Sequence, residues 1–130
     1  ATTIIDGGGN GSVVTFNSGE GINALLQGFT ITNGLSDYGG GIYIENASPK
    51  ILDNIIENNQ ATTSGGGIYK KKGRLTDVSL IQGNIVRQNT SDDKGGGLYI
   101  TLASTIIYDN DIIYPTRIIY LVEFFDNWEI

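Results

Sequence analysis

The sequence predicts an all-β fold: a parallel β-helix of roughly four to five stacked coils with a non-repeat C-terminal cap. Three observations carry that expectation. Glycine triplets at 39–41, 65–67 and 95–97 recur at steps of 26 and 30 residues, and the residues around them align. No segment between turn signals holds the roughly 10 to 12 residues of periodic pattern that an independent helix requires. The 130 residues include 19 glycines, about twice the usual share of roughly 7%, with only two prolines and a 39% apolar fraction. That mixture fits many short β-rich strands joined by glycine turns, and it fits neither disorder nor collagen.

The chain reads as one domain with three parts. Residues 1–19, including TTIIDGGGNGSVVTF, form a degenerate N-terminal coil. Residues 20–115 carry the repeats. The first, INALLQGFTITNG from Ile22, is the least regular. It is followed by YGGGIYIENASPKILDNIIENN from Tyr38, GGGIYKKKGRLTDVSLIQGNIVRQN from Gly65 and GGGLYITLASTIIYDNDIIY from Gly95. The first and third of these align without a gap at an offset of 56, so the middle one carries a four-residue insertion between Tyr69 and Ile81. Asn33, Asn59 and Asn89 each lie six residues before a triplet and extend the alignment backwards.

A unit of this length cannot bury an apolar face alone and must stack on its neighbours, at about 4.8 Å per coil. Aligned positions then become columns. Ile42, Ile68 and Leu98 form one expected core ladder; Ile51, Ile81 and Ile107 form a second; Ile56, Val86 and Ile112 form a third. Asn54, Asn84 and Asn110 form a polar column, read as a structural asparagine ladder at a turn that tolerates a left-handed backbone. The glycine triplets are expected to turn a tight corner through positive φ.

At Lys70 the pattern calls for an apolar residue, because Ile44 and Ile100 occupy the equivalent positions. Burying an unpaired ammonium costs several kcal/mol. The strand is therefore expected to end at Tyr69, with KKKGRLTDVSL leaving as an exposed loop, either a basic anion-binding loop or a solvated insertion. After Pro115 the repeat is expected to stop. Residues 116–130 are apolar and aromatic, with Leu121, Phe124, Phe125 and Trp128 as candidates for covering the last coil. Strand and short helix both fit this segment, and the alternative to an intramolecular cap is a homodimer formed through it.

These units resemble the parallel β-helix repeat proteins of the pectate-lyase-like superfamily, over residues 20 to 115. The resemblance implies a right-handed helix with three parallel sheets, in a bacterial protein that is secreted or held at the cell surface. It also implies a relation to polysaccharides. Its calcium-dependent lyases pair acidic metal ligands with a basic residue that removes the proton α to a uronate carboxylate. Arg74, Arg87 and Lys94 are the only basic residues near suitable acids, and none stands in a motif that maps onto that active site, so no catalytic residue is assigned.

Composition narrows function further. The net charge of −6 and pI near 4.3 disfavour nucleic acid and anionic lipid as partners. No apolar run approaches the roughly 20 residues of a membrane span, and the start ATTIIDGGG has neither the basic flank nor the apolar block of a signal peptide. Cysteine, histidine and methionine are absent, which removes thiol chemistry, imidazole bases and the usual zinc ligands. No cofactor is expected; Asp92 and Asp93 are the minimal candidate pair of oxygen ligands for Ca²⁺. Asp37 and Asp93, at equivalent positions on either side of Thr63, stand about 9.6 Å apart on the stacking estimate, too far to share one ion at roughly 2.3 to 2.6 Å. DGGGNGS resembles a phosphate loop, but the strand-like SVVTF follows where a helix is needed.

Tyr43, Tyr69 and Tyr99 fall in one column that should face outward, since side chains alternate along a strand. Such a column suits contact with sugars, and it also stabilises a sheet by ring burial alone. Three functions remain as expectations: a non-catalytic scaffold or carbohydrate-contacting module, a uronan lyase or hydrolase, and a self-assembly module.

Overall fold

The computed structural model describes residues 3–72, 78–101, 105–113 and 119–122, the last four by their backbone. The first pass of the chain lays down β1 (Thr3–Asp6), β2 (Val14–Phe16) and β3 (Leu25–Gln27). The second gives β4 (Phe29–Thr32), β5 (Leu35–Tyr38), β6 (Ile42–Glu45) and β7 (Lys50–Leu52). The third gives β8 (Ile55–Glu57), β9 (Gln60–Ser64), β10 (Ile68–Lys71) and β11 (Ser79–Gln82). The fourth gives β12 (Ile85–Arg87), β13 (Thr90–Ser91), β14 (Leu98–Thr101) and β15 (Thr105–Tyr108), before β16 (Asp111–Ile113) and β17 (Ile119–Val122).

These strands stack as a parallel β-solenoid of about four turns. Sheet A runs β1-β4-β8-β12-β16, sheet C runs β2-β6-β10-β14-β17, and sheet D runs β3-β7-β11-β15. A fourth sheet, B, of β5-β9-β13, lies between A and C along the chain. The three-sheet plan implied by the resemblance is thus extended by a short extra face. Every strand pairing is parallel, and no helix occurs among the described residues.

The core is a set of aliphatic columns. Ile42, Ile68 and Leu98 pair in register along sheet C, Ile51, Ile81 and Ile107 along sheet D, and Ile56, Val86 and Ile112 along sheet A. All are fully buried except Ile112, which is half-buried in the last strand of its sheet. At about 1.5–3 kcal/mol for each fully buried aliphatic side chain, these columns are the main drive for one coil to settle on the next.

Lys70 departs from the sequence expectation. The strand does not end at Tyr69: β10 continues to Lys71, and Lys70 pairs in register with Ile44 on one side and Ile100 on the other. Its side chain is fully buried at the core position of that column. The parallel backbone bonds on both sides hold the strand in line, and the four-carbon stem supplies apolar contact where Ile44 and Ile100 supply theirs. Arg74 and the rest of 73–77 lie outside the described residues.

The C-terminal segment also differs. Residues 119–122 form a strand that pairs parallel with β14, Leu98 with Ile119 and Ile100 with Leu121, so sheet C gains another rung after Pro115. The repeat register therefore resumes, and the choice between strand and helix falls to strand at 119–122. Phe124, Phe125 and Trp128 lie outside the described residues.

Two kinds of corner turn the chain. Between sheets D and A, Asn54, Asn84 and Asn110 stand in a column: Asn54 Nδ2 donates to Asn84 Oδ1 at 3.2 Å and Asn84 Nδ2 to Asn110 Oδ1 at 3.0 Å. The same amides also serve the backbone, with Asn84 Nδ2 donating to Ile51 O at 2.8 Å and Asn84 Oδ1 accepting from Asn54 N at 2.9 Å. The left-handed residue is the one before each asparagine, with φ of 55° at Asp53, 71° at Gly83 and 55° at Asp109. The ladder asparagines themselves are absent from the positive-φ set.

A second ladder closes the A–B corner. Asn59 Nδ2 donates to Asn89 Oδ1 at 3.0 Å and to Ile31 O at 3.0 Å, and Asn59 Oδ1 accepts from Gly34 N at 2.9 Å. Asn33 is therefore not the counterpart of Asn59 and Asn89. It has φ of 59°, like Asn58 at 58° and Gln88 at 57°, and Gly34 occupies the ladder position. The alignment slips by one residue because β5 and β9 are bulged: Ser36 pairs with Ala61 but Tyr38 with Ser64.

The B–C corner is the glycine corner, and it also refines the sequence reading. Only the first glycine of each triplet has positive φ, 66° at Gly39, 72° at Gly65 and 67° at Gly95. The second and third are needed for close approach of the next coil. A Cβ on Gly66 would lie 2.6 Å from Gly96 O, and one on Gly67 would lie 2.5 Å from Gly97 O.

Candidate functional site

Sheet C presents the tyrosine column to the outside because Ile42 and Ile44 of β6 point inward and period-two alternation turns Tyr43 and Glu45 outward. The parallel register sets Tyr43 beside Tyr69 and Tyr69 beside Tyr99. The rings stack face to face. Tyr43 and Tyr69 are 5.5 Å apart between centroids at 5° between planes, and Tyr69 and Tyr99 are 5.2 Å apart at 2°. Tyr38, which the sequence reading did not single out, lies across the glycine corner with its ring 4.9 Å from that of Tyr69 at 51°. The column continues in the backbone register to Thr15 at one end and Tyr120 at the other.

The stack changes what a ligand meets. Tyr69 is only 7% exposed, with both ring faces covered by its neighbours, whereas Tyr43 and Tyr99 are half-buried. Ring edges and hydroxyls therefore form the outer surface along the middle of the column. The Tyr43 hydroxyl donates to Glu45 Oε1, two residues along the same strand. That hydrogen bond, followed by burial, raises the Tyr43 phenol from its ordinary 10.0 to about 12. Burial first, then the neighbouring Tyr99 phenol, raises Tyr69 to about 12 as well. Both remain neutral hydrogen-bonding groups through the physiological range.

The acidic candidates lie on another face. Asp37 in β5 accepts from Thr62 Oγ1 at 2.6 Å, and Asp93 N donates to Thr63 O at 2.9 Å. The two acids thus flank one coil of sheet B from opposite sides. Asp92 N donates to Ala61 O at 3.2 Å. No three acidic side chains gather into a set that could hold a metal ion among the described residues. Arg87 stands on sheet A, with its Nε 2.8 Å from Glu57 Oε1 on the neighbouring rung. Arg87 ends β12 of sheet A, whereas Asp92 and Asp93 follow β13 of sheet B.

A family described as a protein of unknown function (DUF1565) matches residues 1–120. No curated protein and no solved structure matches the chain.

Proposed function

The chain belongs to the DUF1565 family, and on that premise we propose that it is a non-catalytic solenoid scaffold whose sheet C face contacts polysaccharide. The observation that carries the proposal is the parallel stack of Tyr43, Tyr69 and Tyr99, with ring centroids 5.5 and 5.2 Å apart. A rigid sheet holds these rings without side-chain freedom, so little ordering entropy is lost when a ligand binds. One phenol per coil forms a row of polar tips on apolar bodies, repeated along the axis as the units of an extended glycan are repeated along theirs. The resemblance to the pectate-lyase-like superfamily supports the polymer class and an extracellular or cell-surface setting in bacteria.

The lyase alternative has no comparable support, since Arg87 is engaged by Glu57 on a different sheet. The test is binding of the intact chain to an array of neutral and acidic glycans. Tyr99→Ala and Tyr43→Ala are expected to weaken binding about tenfold each, or about 1.4 kcal/mol. Unchanged binding in both variants rejects the tyrosine face as the contact surface.

A further inference from the structure

We infer that the open end of the tyrosine stack, the face of Tyr43 above Thr15, seats a single uncharged pyranose ring. This rests on the carbohydrate reading of sheet C and assigns it a place and a sugar class. Tyr69 is covered on both faces, by Tyr43 at 5.5 Å and Tyr99 at 5.2 Å. Among the described residues Tyr43 has a stacked ring on the Tyr69 side alone. On its other side the register position belongs to Thr15 of β2, which is exposed and too short to cover an aromatic ring.

The column therefore drops by one rung at its first coil. The step is one coil deep, about 4.8 Å, close to the separation of the rings already stacked. A flat ring of one sugar fills it, with its C–H face on Tyr43 and its edge toward the Thr15 hydroxyl. Aromatic faces combined with a few convergent polar groups are the usual make-up of a small-ligand seat.

The rim selects the sugar. The Tyr43 hydroxyl gives its proton to Glu45 Oε1, so its oxygen is left to accept a hydrogen bond from the ligand. Glu45 adds carboxylate acceptors beside it. Lys71, the nearest cation in that outer column, is one coil farther from the step than Glu45. The rim thus accepts hydroxyl protons and repels carboxylates, and a net charge of −6 acts in the same direction. Uronates are disfavoured and neutral hexoses favoured.

The experiment compares cellohexaose with hexagalacturonate by calorimetry and by the ring-proton shifts of Tyr43 in the unaltered protein. Cellohexaose is expected to shift the Tyr43 ring protons and to bind at least about tenfold tighter than hexagalacturonate. Thr15→Tyr extends the stack and fills the step; it is expected to weaken cellohexaose binding about tenfold, and the Tyr43 ring-proton shift is expected to disappear with it. If Thr15→Tyr binds like the parent and Tyr43 does not shift, while Tyr99→Ala still loses affinity, the seat is wrong and the tyrosine face stands. If the parent binds neither sugar, both fall. Equal affinity for the two sugars overturns the assignment of sugar class.

Discussion

The asparagine corner between sheets D and A and the glycine corner between sheets B and C perform the same task by opposite means. At the first, the backbone is bridged by side-chain amides that bond the copies above and below and satisfy buried backbone groups. At the second, side chains are removed so that one coil's backbone lies directly on the next. A solenoid corner can therefore be closed by adding hydrogen-bonding capacity or by deleting Cβ atoms. The two solutions should fail differently when altered.

The largest effect is expected from Asn84→Ala. It removes the acceptor of Asn54 N and the donor to Ile51 O in a fully buried corner. Leaving two such groups without partners costs about 1–3 kcal/mol each, so urea unfolding should show a loss of about 4 kcal/mol. A loss under about 1 kcal/mol would mean that the ladder is ornamental. Gly66→Ala should cost somewhat less, about 3 kcal/mol by overpacking, because the new methyl meets the Gly96 carbonyl oxygen at 2.6 Å and that of Thr90 closer still, and the coils must part. If alanine is accepted there without loss, close approach is not what the triplet is for.

The effect at the tyrosine face beyond the glycine corner is confined to alkaline pH. Because Tyr43 and Tyr69 are raised from 10.0 to about 12 on folding, the unfolded chain ionises first. Their contribution to stability is fully present below pH 10 and is lost as pH rises toward 12. Melting temperature should fall across that window, and Tyr43→Phe should shrink the fall. A flat profile in the parent would contradict the raised phenols.

The core columns and the asparagine column at 54, 84 and 110 were legible because repetition aligns them without reference to any partner. The second ladder was not. Counting six residues back from each triplet equated Asn33 with Asn59, and the bulge between β5 and β9 makes that count one residue wrong. Lys70 was legible as an exception but not in its outcome, since polarity alone argued for exposure while backbone pairing on both sides kept the strand in place. The strand at 119–122 was hidden because its step from the preceding rung, Ile100 to Leu121, is shorter than any earlier repeat. In the tyrosine column both the residues and their stacking were legible from the aligned repeats; the ring of Tyr38 against Tyr69 was not, because it reaches the column from across the glycine corner.

Lys70 also bears on how the chain folds. In a linear array each coil touches only its neighbours, and structure nucleates at one point and spreads rung by rung. Lys70 lies in the middle of sheet C, where growth from either end must desolvate a polar amine before the next aliphatic rung can form. That coil is where propagation is expected to be slowest, and Lys70→Ile should therefore speed refolding in a stopped-flow experiment.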